Sequence, residues 1–126
     1  MPTPVSLTPR EIEIIAVLWE VGPATVAEVR DRLPDDLAYT TVLSLMRTMV
    51  AKGYLRAEPE GRAHRFHPRI KQEAVQRGAL ATLVGSLFGG SSELAVAKLV
   101  ADRNLKPADL RKLRKLIDER LREDHA

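Results

Sequence analysis

Between Leu7 and Pro68 the hydrophobic positions run first at helical and then at strand spacing, with clear punctuation between the runs. Leu7-Thr8-Pro9-Arg10-Glu11-Ile12 predicts a helix start, with Thr8 as N-cap, Pro9 at N1, Glu11 completing a capping box, and Leu7 and Ile12 as a hydrophobic staple. Ile12, Ile15, Ala16 and Trp19 give this helix its core stripe, with Trp19 as a packing aromatic, and Gly22-Pro23 ends it. Thr25 and Glu28 repeat the capping box for a second helix whose Val26, Val29 and Leu33 face inward before Pro34. A third helix opens at Tyr39-Thr40-Thr41, where Val42, Leu45, Met46 and Met49 fall at i, i+3, i+4 and i+7 and make one apolar stripe. Tyr54–Glu58 and Arg62–His67 then read as two strands around a Pro59-Glu60-Gly61 turn.

After Pro68 the pattern becomes wholly helical. Leu80, Leu83, Val84, Leu87 and Phe88 trace a stripe that Gly89-Gly90 breaks, Leu94–Val100 is nearly all apolar, and Leu110, Leu113, Ile117 and Leu121 mark a last amphipathic helix. The expected fold is therefore mostly α with a small β-hairpin. Residues 1–70 form a winged helix-turn-helix domain, because helix, helix and basic hairpin follow one another in that order, and residues 71–126 form an α-helical domain. A helical segment of that size carries more apolar face than it can bury alone. Its stripes, Leu80, Leu83, Val84, Leu87, Leu94, Leu99, Leu110, Leu113 and Ile117, are expected either to meet a second copy of the chain in a homodimer or to fold back on the first domain.

The third helix carries the candidate chemistry. Opposite its apolar stripe lie Thr40, Thr41, Ser44, Arg47 and Thr48, with no acid among them. Hydroxyls that donate or accept, threonine methyls that can touch a thymine methyl, and an arginine able to bond guanine bidentately suit base edges in the major groove of double-stranded DNA. A merely solvated face more often carries Glu and Lys. Lys52, Arg56, Arg62, His64 and Arg65, on or beside the hairpin, are candidate contacts to the phosphate backbone, which give affinity and register but no sequence information. Charge is distributed accordingly: residues 1–37 hold three Lys/Arg against seven Asp/Glu, residues 38–71 seven against two, and residues 72–126 ten against eight. The net +3 is thus concentrated where the reading helix and wing lie.

Composition then narrows the remaining classes. At 126 residues and 44% hydrophobic the chain is long enough for one small globular domain or two half-size ones. No apolar run reaches the length of a membrane span, and the N-terminus lacks a basic region followed by an apolar core, so a cytoplasmic location without membrane insertion is expected. The absence of Cys removes thiol catalysis, disulfides and thiolate metal sites. His64 and His67 fall on opposite faces of a strand and do not make a metal site, and no nucleophile–base–orienter set can be assembled, so neither a cofactor nor an enzymatic activity is expected.

LTPREIEIIAVLWE, TVAEVRDRL, LAYTTVLSLMRTMVAKGYL and GRAHRFHP, followed by a helical tail with a Gly-Gly break and LKPADLRKLRKLI, resemble the BlaI/MecI/CopY penicillinase-repressor family of bacterial transcription regulators over nearly the whole chain. The resemblance implies a repressor whose third helix enters the major groove of a palindromic operator, commonly of the TACA/TGTA type, whose tail dimerises, and whose targets include antibiotic-resistance genes. Thr40, Thr41 and Ser44 fall on the matching reading positions, Thr40 in place of a lysine found in some members. Copper-responsive members carry a cysteine pair that this chain lacks. In antibiotic-responsive members a membrane sensor system triggers cleavage at an Asn–Phe bond, and the corresponding bond here is Lys98–Leu99. Two alternatives stay open at this level: a winged helix used for protein interaction, and a repressor controlled by a small ligand rather than by proteolysis.

Overall fold

The computed structural model describes residues 5–125. In chain order the elements are α1 (Pro9–Val21), β1 (Ala24–Thr25), α2 (Val26–Arg32), α3 (Tyr39–Ala51), β2 (Leu55–Glu60), β3 (Ala63–Pro68), α4 (Gln72–Leu87), α5 (Ser92–Val100) and α6 (Pro107–Asp124). They fall into two compact units, Met1–Ala79 and Leu80–Ala126, with the division inside α4.

Both capping boxes form. The Thr8 hydroxyl accepts from the Glu11 N–H while the Glu11 carboxylate accepts from the Thr8 N–H, and Thr25 and Glu28 do the same for α2. The phase of α1 differs from the expected stripe. Ile14, Ile15, Val17 and Leu18 are buried together with Glu11, whereas Ile12 is 49% exposed and Ala16 also faces outward. Ile12 and the run Ile14–Leu18 put an apolar residue on almost every face, so periodicity cannot choose the phase. The phase adopted buries the larger apolar set and carries Glu11 inward, where a cation described below meets it. Leu7 and Trp19 pack at the edge of the core, and the indole N–H of Trp19 donates to the Ile70 carbonyl at 3.0 Å.

α3 behaves as its pattern requires, with Val42, Met46 and Met49 fully buried and Leu45 packed against the same cluster. Val26 and Val29 of α2, Leu55 of β2 and Phe66 of β3 close this core. Burying side chains of this size contributes about 1.5–3 kcal/mol each, which is what holds α3 across α1 and α2.

The sheet has three strands in the order β1-β3-β2, all antiparallel. β1 is absent from the sequence reading because two residues carry no period; Ala24 and Thr25 become a strand only by pairing with Phe66 and Arg65. The hairpin register runs from Leu55↔Pro68 to Glu60↔Ala63, so the turn is Gly61-Arg62 and not Pro59-Glu60-Gly61. Gly61 has φ 60° at the first turn position, as a tight two-residue hairpin of this kind demands. Pro59 is accommodated inside β2 because that strand lies at the sheet edge, where a missing N–H costs no ladder bond.

In the second unit Gly89 and Gly90, both at positive φ, separate α4 from α5, and the Ser91 hydroxyl caps α5 by accepting from the Leu94 N–H at 3.0 Å. Pro107 opens α6 and Asp109 accepts from the Lys106 N–H. Among the described residues of this unit only Ala95 is buried. Leu80, Leu83, Leu87, Leu94, Leu99, Leu110, Leu113 and Ile117 are all exposed, and Val84 is half-buried. Leu121, the last residue of the α6 stripe, is exposed too, as are Val96, Val100 and Leu116. No single helix among the described residues is long and apolar enough to cross a membrane.

Candidate nucleic-acid interface

Packing one side of α3 into the core leaves the other side as an exposed, largely polar surface. Thr40, Thr41, Ser44, Arg47 and Thr48 are all exposed there, and the helix contains no acid. Thr40, Ser44, Arg47 and Thr48, with Leu43 and Ala51, line an open hollow of about 470 Å³. Leu43 and Ala51 were not among the expected site residues, although their spacing from Thr40 and Arg47 puts them on this face. The face has different capacities along its length. The Thr48 hydroxyl donates to the Ser44 carbonyl at 3.0 Å and keeps only its acceptor capacity, whereas Arg47 has no side-chain partner among the described residues.

Strand alternation sorts the wing residues onto two sides. Ala57, His64 and Phe66 share the side turned to α3, where they meet Leu43, Arg47 and Val50 around a hollow of about 280 Å³. His64 thus stands beside Arg47, while Arg62 sits at the exposed turn with no ion pair among the described residues. Arg56 and Arg65 lie on the opposite side and are already engaged. Arg56 pairs with Glu58, which also faces His67 at 3.2 Å. Arg65 pairs with Glu60 at 2.8 Å and Glu28 at 3.3 Å and donates to the Pro23 carbonyl at 2.8 Å, tying β3 to β1 and the start of α2. The Arg56 guanidinium holds the Glu58 carboxyl below the usual carboxylate range, and the Thr25 hydroxyl, with Arg65 adding to it, does the same for Glu28. Local charge on the wing is therefore smaller than a count of its arginines suggests.

Lys52, at the end of α3, is engaged as well. Its ammonium donates to both carboxylate oxygens of Glu11 at 3.0 Å, and the Glu11 side chain is only 2% exposed. Burial alone pushes the Glu11 carboxyl up, but the Thr8 N–H and the Lys52 ammonium outweigh it and leave the pKa below its ordinary value. A lysine so held already has a counter-charge within the protein. The segment between α2 and α3 is fixed in turn by Arg30, whose Nε donates to the Leu37 carbonyl at 2.7 Å, and by the Arg10–Asp35 pair at 2.5 Å.

A helix pair with the second helix presented outward, followed by a hairpin beside that helix, is a winged helix-turn-helix, the fold of transcriptional regulators that bind DNA. The sequence matches the family model described as penicillinase repressor over residues 7–119, and the chain belongs to that family of DNA-binding repressors. It is 25% identical over 113 residues, 88% of this chain and 77% of the other, to an uncharacterized 16.5 kDa protein of Latilactobacillus sakei. In fold it resembles the crystal structure of the transcriptional regulator Tm0710 from Thermotoga maritima, at 21% identity and a TM-score of 0.50, covering 90% of this chain and 78% of that one.

Proposed function

We propose that the protein acts as a homodimer on a near-palindromic operator, with α3 of each protomer reading bases in the major groove and the second unit joining the protomers. The observation that carries this reading is the outward face of α3: four hydroxyls and one unpaired arginine, without an acid, on a helix whose other side is locked into the core. Thr40, Thr41, Ser44 and Arg47 are assigned to base edges, with Thr48 as an acceptor at the far end of the face. Arg62 and His64 are assigned to phosphates, and Arg56 and Arg65 contribute field more than contact. Two protomers would cover the apolar side chains that the second unit leaves exposed, and two-fold symmetry in the protein implies two-fold symmetry in its site.

Regulation of antibiotic-resistance genes follows from the family alone. The Lys98–Leu99 bond, which stands where a sensor-triggered cut is expected, lies inside α5. Cleavage there requires local unwinding of that helix, and it would sever the surface assigned to dimerisation. Selection of bound fragments from random or genomic DNA tests the whole reading. Recovery of a two-fold motif with affinity that falls steeply with salt is expected; retention of no sequence, or binding indifferent to salt, overturns it.

A further inference from the structure

The pair formed by Lys52 and buried Glu11 is placed where it can control the pose of the reading helix. Lys52 is the C-cap residue of α3, its N–H donating to the Thr48 carbonyl at 3.0 Å. Both Glu11 oxygens receive its ammonium, and Oε1 also accepts the Thr8 N–H at 2.9 Å. Two residues on, at the start of the wing, the Tyr54 hydroxyl accepts from the Ser6 N–H at 2.8 Å and donates to the Ser6 carbonyl at 3.2 Å. The Lys52 ammonium lies 6.0 Å from the Tyr54 ring centroid, at the outer limit for cation–π attraction. The junction between reading helix and wing is thus fastened at two points to residues 6–11. The other end of α3 is held only through the segment before it, by the Arg30 bond to the Leu37 carbonyl, since its N-cap, Ala38, makes no side-chain cap bond.

We infer that Glu11 and Lys52 form a positioning pair that sets the angle at which α3 and the wing meet DNA, and that Lys52 does not contact phosphate. The inference rests on the DNA-binding reading above. Drawing Lys52 away to a phosphate would leave a buried carboxylate without its counter-charge, an arrangement that costs far more than one exposed phosphate contact returns. Base contacts, by contrast, depend on a pose held to about half an ångström, so loosening this junction should weaken specific binding in particular.

The test uses the full chain with Glu11→Gln, Lys52→Met and the double substitution. The double variant leaves no orphan charge and serves where Lys52→Met does not fold; the lone Trp19 reports folding by fluorescence. Operator and scrambled duplex are titrated across a salt series. Each folded variant should bind the operator about tenfold more weakly, with little change on the scrambled duplex and an unchanged slope of log affinity against log salt. A phosphate contact behaves otherwise: Lys52→Met would lower the slope by about 0.9 on both duplexes, and Glu11→Gln would free the lysine, strengthen binding and steepen the slope. Either result overturns the inference, as does wild-type operator affinity in the folded double variant. Failure of the DNA-binding reading is separately visible, because the unsubstituted protein would then show no salt-dependent binding at all.

Discussion

Replacing Leu113 and Ile117 by glutamate should convert the proposed dimer into monomers. Both lie on α6 of the second unit, 37% and 52% exposed, so much of each side chain remains available for burial against a partner. Taking about 1.5–3 kcal/mol for complete burial of a Leu or Ile, these fractions amount to about 1.3–2.7 kcal/mol per protomer. Two-fold symmetry counts each position twice, giving about 3–5 kcal/mol for the pair of substitutions. That corresponds to a dissociation constant raised by roughly two to four powers of ten, before the cost of desolvating four carboxylates is added. Sedimentation equilibrium at micromolar concentration reads this directly. The unsubstituted protein should sediment as a dimer and the variant as a monomer with its helical circular dichroism retained. A wild-type monomer under those conditions, or a variant that stays dimeric, would refute the reasoning, since the apolar surface would then have another role.

Further outcomes follow from the first unit. Thr41→Ala or Arg47→Ala should reduce discrimination between operator and scrambled duplex by about 1–3 kcal/mol, whereas Arg62→Ala should weaken both alike; the reverse pattern in competitive titrations would exchange reader and clamp. Gly61→Ala should destabilise the wing by about 1–2 kcal/mol through its positive φ alone, because a Cβ there meets nothing within 4 Å; an unchanged thermal midpoint would show that the turn relaxes freely. The Glu11 pKa is depressed in the folded state, so the stability that its ionisation contributes is complete above the ordinary carboxylate pKa of about 4.3 and is lost as pH falls through the lower folded value. Denaturant midpoints of the unsubstituted protein should therefore decline across that acid range more than those of Glu11→Gln, and parallel curves would remove the pair from the acid response.

What the sequence disclosed depended on the reach of each signal. Caps are local, and both capping boxes, the stop at Gly22 and the Gly89-Gly90 break were legible from a few adjacent residues. The apolar stripe of α3 was legible because Thr40, Thr41, Ser44, Arg47 and Thr48 gather on the opposite side, with Leu43 and Ala51 as the apolar exceptions there. In α1 the expected stripe had the wrong phase, since Ile12 is as apolar as Ile14, and the partner that accommodates Glu11 on the buried side, Lys52, lies 41 positions away. The turn was misplaced because Pro59 and Glu60 look like turn residues, while β2 as an edge strand tolerates both. Likewise, counting charge by segment could not show that Arg65 is bound by Glu28, or Lys52 by Glu11, because those acids belong to the acidic first 37 residues and meet the basic segment only on folding. The hydroxyl face needed no tertiary information, which is why its exposure matches the sequence expectation residue by residue.

The central claim is that two reading helices engage one face of the duplex as a symmetric unit. It is tested most directly by changing the spacing of a selected operator. Half-site centres should lie about 10 bp apart or at a multiple of that distance. Inserting about 5 bp turns one half-site to the far side of the helix, while inserting about 10 bp restores its phase. Quantitative footprinting over such a series should show high affinity lost at the half-turn insertion and largely regained at the full turn. Equal affinity at all three spacings would mean that the protomers bind independently, and would contradict a symmetric repressor.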